Sequence, residues 1–123
     1  MKKILLVDDV EETRELINFA LVSKGYGVIE FFDGKKVFEA VLALKPDLII
    51  LDIGLPGMNG FSVASQLSES GETSKTPIIV SSGYTKYHYI FESKKLENVV
   101  DFIGKPYLPE ELIEKVQKII GRP

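Results

Sequence analysis

Five side chains in this 123-residue chain are of the types that could together handle a small dianion: Asp8, Asp9, Asp52, Ser82 and Lys105. Each stands where a short apolar run stops. Ile4-Leu5-Leu6-Val7 leads into Asp8-Asp9, Leu48-Ile49-Ile50-Leu51 into Asp52, Pro77-Ile78-Ile79-Val80 into Ser81-Ser82, and Val99 to Ile103 into Gly104-Lys105-Pro106. Taken singly, each has an ordinary alternative. An acid after a strand is often a helix cap or a solvated loop residue, Ser82 could be a turn hydroxyl, and Lys105 a surface charge. Their combination is more specific. Three carboxylates held within a few ångströms raise one another's pKa, a cost that a divalent cation removes. Oxygen ligands without His or Cys favour magnesium, or manganese, over zinc. With a carboxylate nucleophile, a hydroxyl donor and a fixed lysine cation added, the set describes phosphoryl transfer.

The elements around these residues must bring them to one place. Runs such as Leu48 to Leu51 are far too short to cross a membrane and read as strands buried on both faces. Ile53 to Gly60 holds three glycines and a proline, so a loop follows Asp52. Leu16, Ile17, Ala20 and Leu21 recur at helical spacing between Glu11 and Lys24, acids crowd the first turn, and Gly25 is the stop. Gly27 to Phe31 resumes strand character. Asp33 is then expected to cap a helix carrying Val37, Ala40, Val41 and Leu44, which Pro46-Asp47 ends. Phe61, Val63, Ala64 and Leu67 predict a third helix, dissolving into the polar Ser68 to Thr76. A short fourth helix is expected between Tyr84 and Asn98, where Tyr84, Tyr87, Tyr89, Ile90 and Phe91 crowd without a clear period. Pro109 opens a last helix, with Leu112, Ile113, Val116, Ile119 and Ile120 in one stripe before Gly121.

Five strands alternating with five helices predict an α/β fold, a single doubly wound (βα)5 domain over residues 1–123 with no output domain following. Helices cover both faces of a parallel five-stranded sheet, giving a flavodoxin-like three-layer sandwich of strand order 2-1-3-4-5. Strands one and three are then neighbours where the winding reverses, and Asp8, Asp9 and Asp52 meet in that crevice.

Composition removes other classes. The absence of cysteine excludes disulfides, thiolate metal sites and cysteine nucleophiles. The amino terminus is too short and too soon acidic for a signal peptide, and no apolar run approaches spanning length, so no membrane insertion and a cytoplasmic location are expected. The net charge of −3 is made of interspersed acids and bases, which predicts protein partners rather than direct nucleic-acid binding.

Along its whole length the chain resembles the response-regulator receiver domains of two-component signalling. VDD at Val7 to Asp9, LDIGLPGMNG at Leu51 to Gly60, PIIVSSG at Pro77 to Gly83 and DFIGKP at Asp101 to Pro106 agree with that family in order and spacing. The resemblance implies that Asp52 accepts a phosphoryl group from a sensor histidine kinase or a histidine phosphotransfer protein. It implies that Asp9, Asp52 and the Gly54 backbone carbonyl ligate magnesium directly, with Asp8 acting mainly through bound water. Ser82 and Lys105 would hold the phosphoryl oxygens, and Phe102 falls at the switch aromatic that turns inward as Ser82 moves. The implied role is a switch that catalyses its own phosphorylation and dephosphorylation, rather than a turnover enzyme. Its face of fourth helix, fifth strand and last helix would bind a downstream protein target or pass the phosphoryl group on.

The sequence departs from the family in places. Gly54 and Tyr84 hold the positions flanking the acyl phosphate, and Tyr84 is expected to shield it from water, so that Tyr84→Ala speeds phosphate loss. Leu96-Glu97-Asn98-Val99-Val100 replaces the usual small-residue turn before strand five, so the partner of that face cannot be assigned by analogy. His88, the only histidine, is read as an ordinary surface residue rather than a relay site, and Tyr84, Tyr87 and Tyr89 as loop packing. Other classes fit less well. A flavodoxin-like binding module would need a phosphate-cradling loop where Asp8-Asp9 would repel an anion. A dehalogenase-type phosphatase would need a second Asp two residues after Asp52, where Gly54 stands. A degenerate, phosphorylation-independent receiver remains the alternative within the family.

Overall fold

In the chain's computed structural model, residues 1–54, 60–83 and 96–123 are described. Strands β1 (Lys3–Val7), β2 (Gly27–Phe31), β3 (Leu48–Asp52), β4 (Ile78–Ser82) and β5 (Val99–Gly104) form one parallel sheet in the order β2-β1-β3-β4-β5. Among the described residues the helices are α1 (Glu11–Ser23), α2 (Val37–Leu44), α3 (Gly60–Glu69) and α4 (Pro109–Ile120). Strand side chains alternate between two faces, and the core divides accordingly. Leu5, Val7, Ile49, Leu51, Ile78 and Val80 pack with Val37 and Val41 of α2 and Val63, Ala64 and Leu67 of α3. Ile4, Leu6, Leu48, Ile50 and Ile79 pack with Ile17 and Leu21 of α1 and Leu112, Ile113 and Val116 of α4. These are the three layers expected from the sequence.

Local chemistry sets the boundaries. Gly25 takes φ of +102°, in the left-handed region, and turns the chain from α1 toward β2, while Tyr26 N–H returns to the Leu21 carbonyl at 3.2 Å. Pro109 occupies the first turn of α4 with Glu110 and Glu111, and the Glu111 carboxylate accepts the Leu108 N–H at 3.4 Å. The end of α4 is held by the opposite end of the chain: Lys2 Nζ donates to the Ile120 and Arg122 carbonyls, and Tyr26 OH to the Gly121 carbonyl at 2.6 Å. No helix among the described residues is long and apolar enough to cross a membrane.

Four details differ from the sequence reading. Asp33 does not cap α2: its Oδ1 accepts the Lys35 N–H at 3.0 Å in a local turn, and α2 begins after Lys36 without a side-chain cap. Leu16 lies outside the buried stripe of α1, 54 % exposed, because Ile17 and Leu21 already fill the contact with the sheet. Only the central strands bury both faces. The edge strands β2 and β5 are half-open, and β5 runs one residue further than expected, to Gly104. The fourth helix expected between Tyr84 and Asn98 falls mainly on residues 84–95, with Tyr84, Tyr87, His88 and Tyr89, which lie outside the described residues; after them Leu96–Asn98 form a turn closed by the Val99 N–H on the Leu96 carbonyl at 3.0 Å.

Candidate functional site

The parallel sheet puts every strand's C-terminal end on one edge, and the winding reverses between β1 and β3. Val7 pairs with Leu51 across that boundary, so the residues that follow, Asp8-Asp9 and Asp52, emerge side by side. On the other flank Asp52 pairs with Ser81 and Ser82 with Gly104, which places Ser82 next to the residue preceding Lys105. The Lys105 N–H continues the ladder to the Ser82 carbonyl at 2.8 Å. Strand register alone therefore gathers Asp8, Asp9, Asp52, Ser82 and Lys105 at one edge.

Within it, Asp8, Asp9 and Asp52 each offer a carboxylate oxygen, all within 4.8 Å of one another. Asp8 and Asp52 are buried and Asp9 is exposed. Lys105 Nζ bridges the buried pair, at 3.0 Å from Asp8 Oδ2 and 2.9 Å from Asp52 Oδ2. The remaining carboxylate oxygens are also engaged: Asp52 Oδ1 accepts the Gly54 N–H at 3.0 Å, and Asp8 Oδ1 the Val10 N–H at 2.9 Å. Burial alone would lower the Lys105 pKa, but the hydrogen bonds and charges of Asp52 and Asp8 outweigh it and hold the ammonium above its ordinary value. Asp9 is pushed above the usual carboxylate value by partial desolvation and by the neighbouring Asp52 and Asp8 charges. Three acids thus share one lysine, leaving negative charge in excess. The oxygen-only donor set and that excess fit a hard divalent cation, with the exposed Asp9 oxygen nearest to solvent.

Ser82 is buried and Phe102 half-buried against the α2–α3 side of the core. Gly54, exposed, begins the stretch after Asp52. Tyr84 cannot be placed against the site, because it lies outside the described residues.

Three features of the site were missed by sequence reasoning. Arg14 reaches back from α1 to donate to the Asp8 carbonyl at 2.8 Å. Tyr107, half-buried beyond Lys105, has its hydroxyl pKa pushed up to about 12, mainly by burial and further by the Asp8 and Asp52 charges, with Lys105 opposing. Gly60 brings the start of α3 against the backbone of Asp52, where a methyl group would lie 2.6 Å from its carbonyl oxygen. Only Gly60 had a signal in the sequence, as a glycine closing the loop after the central strand.

A family model described as the response regulator receiver domain matches residues 4–117. The chain belongs to this family. The receiver is 33 % identical over 125 residues to the phosphate regulon transcriptional regulatory protein PhoB of Pseudomonas aeruginosa, covering 98 % of this chain and 52 % of that protein. It is 33 % identical over 122 residues to the DNA-binding response regulator MtrA of Mycobacterium tuberculosis, covering 98 % and 51 %. The receiver therefore spans about half the length of these curated relatives. Among solved structures it is similar to the chemotaxis response regulator CheY4 of Vibrio cholerae, with a TM-score of 0.87, 28 % identity and coverage of 97 % of this chain and 98 % of that one. It is similar too to the receiver domain of the sensor histidine kinase PA1611 from Pseudomonas aeruginosa, whose structure carries a magnesium ion coordinated in the active-site cleft. There the TM-score is 0.85, with 26 % identity and 98 % of each chain covered. The flavodoxin-like fold expected from the sequence is the fold of this receiver.

Proposed function

We propose that residues 1–123 act as one phosphorylation-dependent switch in the cytoplasm, with Asp52 as the phosphoacceptor. The observation that carries this reading is the Asp52 carboxylate itself. It is buried at the end of β3, 2.9 Å from the Lys105 ammonium and grouped with Asp8 and Asp9, at the open edge of the sheet. A carboxylate oxygen of Asp52 attacks the phosphorus of a phosphohistidine on a sensor histidine kinase or a histidine phosphotransfer protein. The P–O bond forms, the P–N bond breaks, and the histidine nitrogen leaves. Lys105 supplies a fixed positive charge to the transferring oxygens, and Ser82 a hydroxyl donor. Asp8, Asp9, Asp52 and the Gly54 carbonyl would hold Mg2+ or Mn2+, which supplies charge neutralisation at the acids and the phosphoryl oxygens. Water later attacks the phosphorus, inorganic phosphate leaves and the carboxylate is restored, with Gly54 and Tyr84 at the positions controlling that access. The new dianion at Asp52 competes for Lys105 and draws Ser82, and Phe102 follows, biasing the face that includes β5 and α4 toward a downstream protein target. These residues are assigned no direct nucleic-acid contact.

The test is intact-mass spectrometry of wild type and Asp52→Asn after incubation with acetyl phosphate, with magnesium and with chelator. A single phosphoryl adduct requiring both magnesium and Asp52 is expected. No adduct under any condition would make the chain a phosphorylation-independent receiver, and an adduct on Asp52→Asn would place the acceptor elsewhere.

A further inference from the structure

The backbone of Asp8 is held from two sides. Its N–H donates to the Phe31 carbonyl of β2 at 3.1 Å, and its carbonyl accepts from Arg14 Nη1 at 2.8 Å. Both oxygens of its carboxylate are committed as well, to Val10 N–H and Lys105. Asp8 is therefore a fixed point, and Asp9, exposed beside it, takes its position from the turn that Asp8 anchors. The same arginine is itself held: Nε lies 3.2 Å from Glu30 Oε1, and the other Glu30 oxygen accepts Asn18 Nδ2 at 2.9 Å.

The local geometry explains why a helix residue can do this. Side chains on an α-helix lean toward its N-terminus, so one in the first turn covers the loop that precedes it. Val10, the residue before α1, offers no side-chain cap, and the first helical bond runs from the Arg14 N–H to the Val10 carbonyl at 3.0 Å. Arg14 thus starts the helix with its backbone and returns its guanidinium to the Asp8 carbonyl. A guanidinium stays charged at any working pH and can serve two acceptors at once, which a lysine ammonium on a flexible stem does less rigidly. With its side chain only 15 % exposed, this arginine is packed in place.

We propose that Arg14 is a positioning residue for the cation site. Strung between the Asp8 carbonyl and Glu30, it fixes the β1–α1 turn so that Asp8 and Asp9 present their carboxylates to a divalent cation together with Asp52. This rests on the magnesium-dependent reading above. Arg14 touches no reacting atom, and its effect is carried through Asp8 and the turn. The adjoining Asn18–Glu30 bond keeps the acceptor end of the strut in place, so neutralising Glu30 weakens the same restraint without removing it.

The experiment compares wild type, Arg14→Gln and Glu30→Gln by two readouts. One is the dissociation constant for Mg2+ alone by titration calorimetry, well below melting. The other is hydrogen exchange of the peptide covering residues 7–13 in chelator. Removing a group that orients a metal ligand from outside the coordination shell costs 10- to 100-fold in affinity where it has been measured. Because Arg14 acts one step further back, through a backbone carbonyl, Arg14→Gln is expected to raise the Mg2+ dissociation constant by about tenfold. Glu30→Gln should raise it less, in the same direction, and both should speed exchange in the turn. A purely structural role would lower the melting temperature while leaving Mg2+ affinity and turn exchange unchanged, and that result would overturn the proposal. Should wild type itself bind no Mg2+, the magnesium reading fails, and exchange at residues 7–13 alone then decides whether Arg14 fixes the turn.

Discussion

Gly60 is the position where a single added carbon should do the most damage. A methyl group there would lie 2.6 Å from the Asp52 carbonyl oxygen, 2.6 Å from Ile53 Cα and 3.2 Å from the Asp52 carbonyl carbon. Comfortable contact begins near about 3.5 Å, so the chains must separate by roughly 0.9 Å. Every atom in the way is backbone. The two segments are also pinned, with Gly60 N–H on the Ile53 carbonyl at 3.0 Å and Ile53 N–H on the Ser81 carbonyl at 3.0 Å. Overpacking a well-filled site costs about 1–3 kcal/mol, and two rigid clashes put Gly60→Ala at the upper end. The better helix propensity of alanine returns up to about 1 kcal/mol. A net loss of about 2–3 kcal/mol, or roughly 30- to 140-fold in the folded-to-unfolded ratio, follows. For a chain of this size the melting temperature should fall by roughly 8–12 °C, read by circular dichroism. Gly71→Ala is the control: nothing lies within 4 Å of a methyl group there, so its melting temperature should stay level or rise slightly. Because two of the three crowded atoms belong to Asp52, labelling by acetyl phosphate should fall with stability in Gly60→Ala alone. A variant melting within about 2 °C of wild type would refute the reasoning, since overpacking against rigid backbone could not then be present.

Tyr107 should give the receiver an alkaline limit. Its hydroxyl titrates at about 12 in the folded chain against 10.0 when unperturbed, so the folded state binds this proton more tightly. The stability it contributes is complete below pH 10, declines as the unfolded chain ionises, and is gone above pH 12. That is worth at most about 2–3 kcal/mol. Urea unfolding of wild type and Tyr107→Phe should therefore diverge in slope only above about pH 10, and parallel curves would show that burial does not hold this hydroxyl. Asn98, 4 % exposed, donates to the Ala64 carbonyl at 3.3 Å, and its own Oδ1 is buried with no hydrogen-bond partner among the described residues. Asn98→Asp sets an unpaired carboxylate there, costing about 3–5 kcal/mol at neutral pH. Its folded pKa must rise, so the deficit against wild type should shrink as pH falls toward 4, and a deficit constant from pH 7 to pH 4 would contradict this.

The elements and the core were legible in the sequence because their signals are local. Four apolar residues ending on Asp52, with a glycine-rich loop after it, read as a strand buried on both faces, and Ile17 with Leu21, or Leu112 with Val116, mark a buried helix stripe by spacing. Strand order was read as the common winding of five alternating units with right-handed crossovers, and with it came the meeting of Asp8, Asp9, Asp52, Ser82 and Lys105 at one edge. Other features depended on what lies across the molecule. Asp33 had a capping residue's sequence context, yet its carboxylate found a nearer N–H at Lys35. Leu16 matched the helical period but faces solvent, because the period fixes a stripe without fixing its width.

The residues that support the site were the least legible. Arg14 and Glu30 are ordinary surface charges in the sequence, separated by sixteen positions, and only the packing of α1 beside β2 lets them meet under Asp8. Tyr107 owes its shifted hydroxyl to burial beside Lys105, and Asn98 meets the Ala64 carbonyl only because α3 packs across it. The sequence by itself determined which candidate groups the chain offers and which strand edge they share, since residue type and alternating pattern act over a few residues. Only the tertiary structure decided that Lys105 would bridge Asp8 and Asp52, that Gly60 would press on the Asp52 backbone, and that Arg14 would hold the turn. Those are distances between segments far apart in the chain, set by how helices of given bulk settle on a twisted sheet.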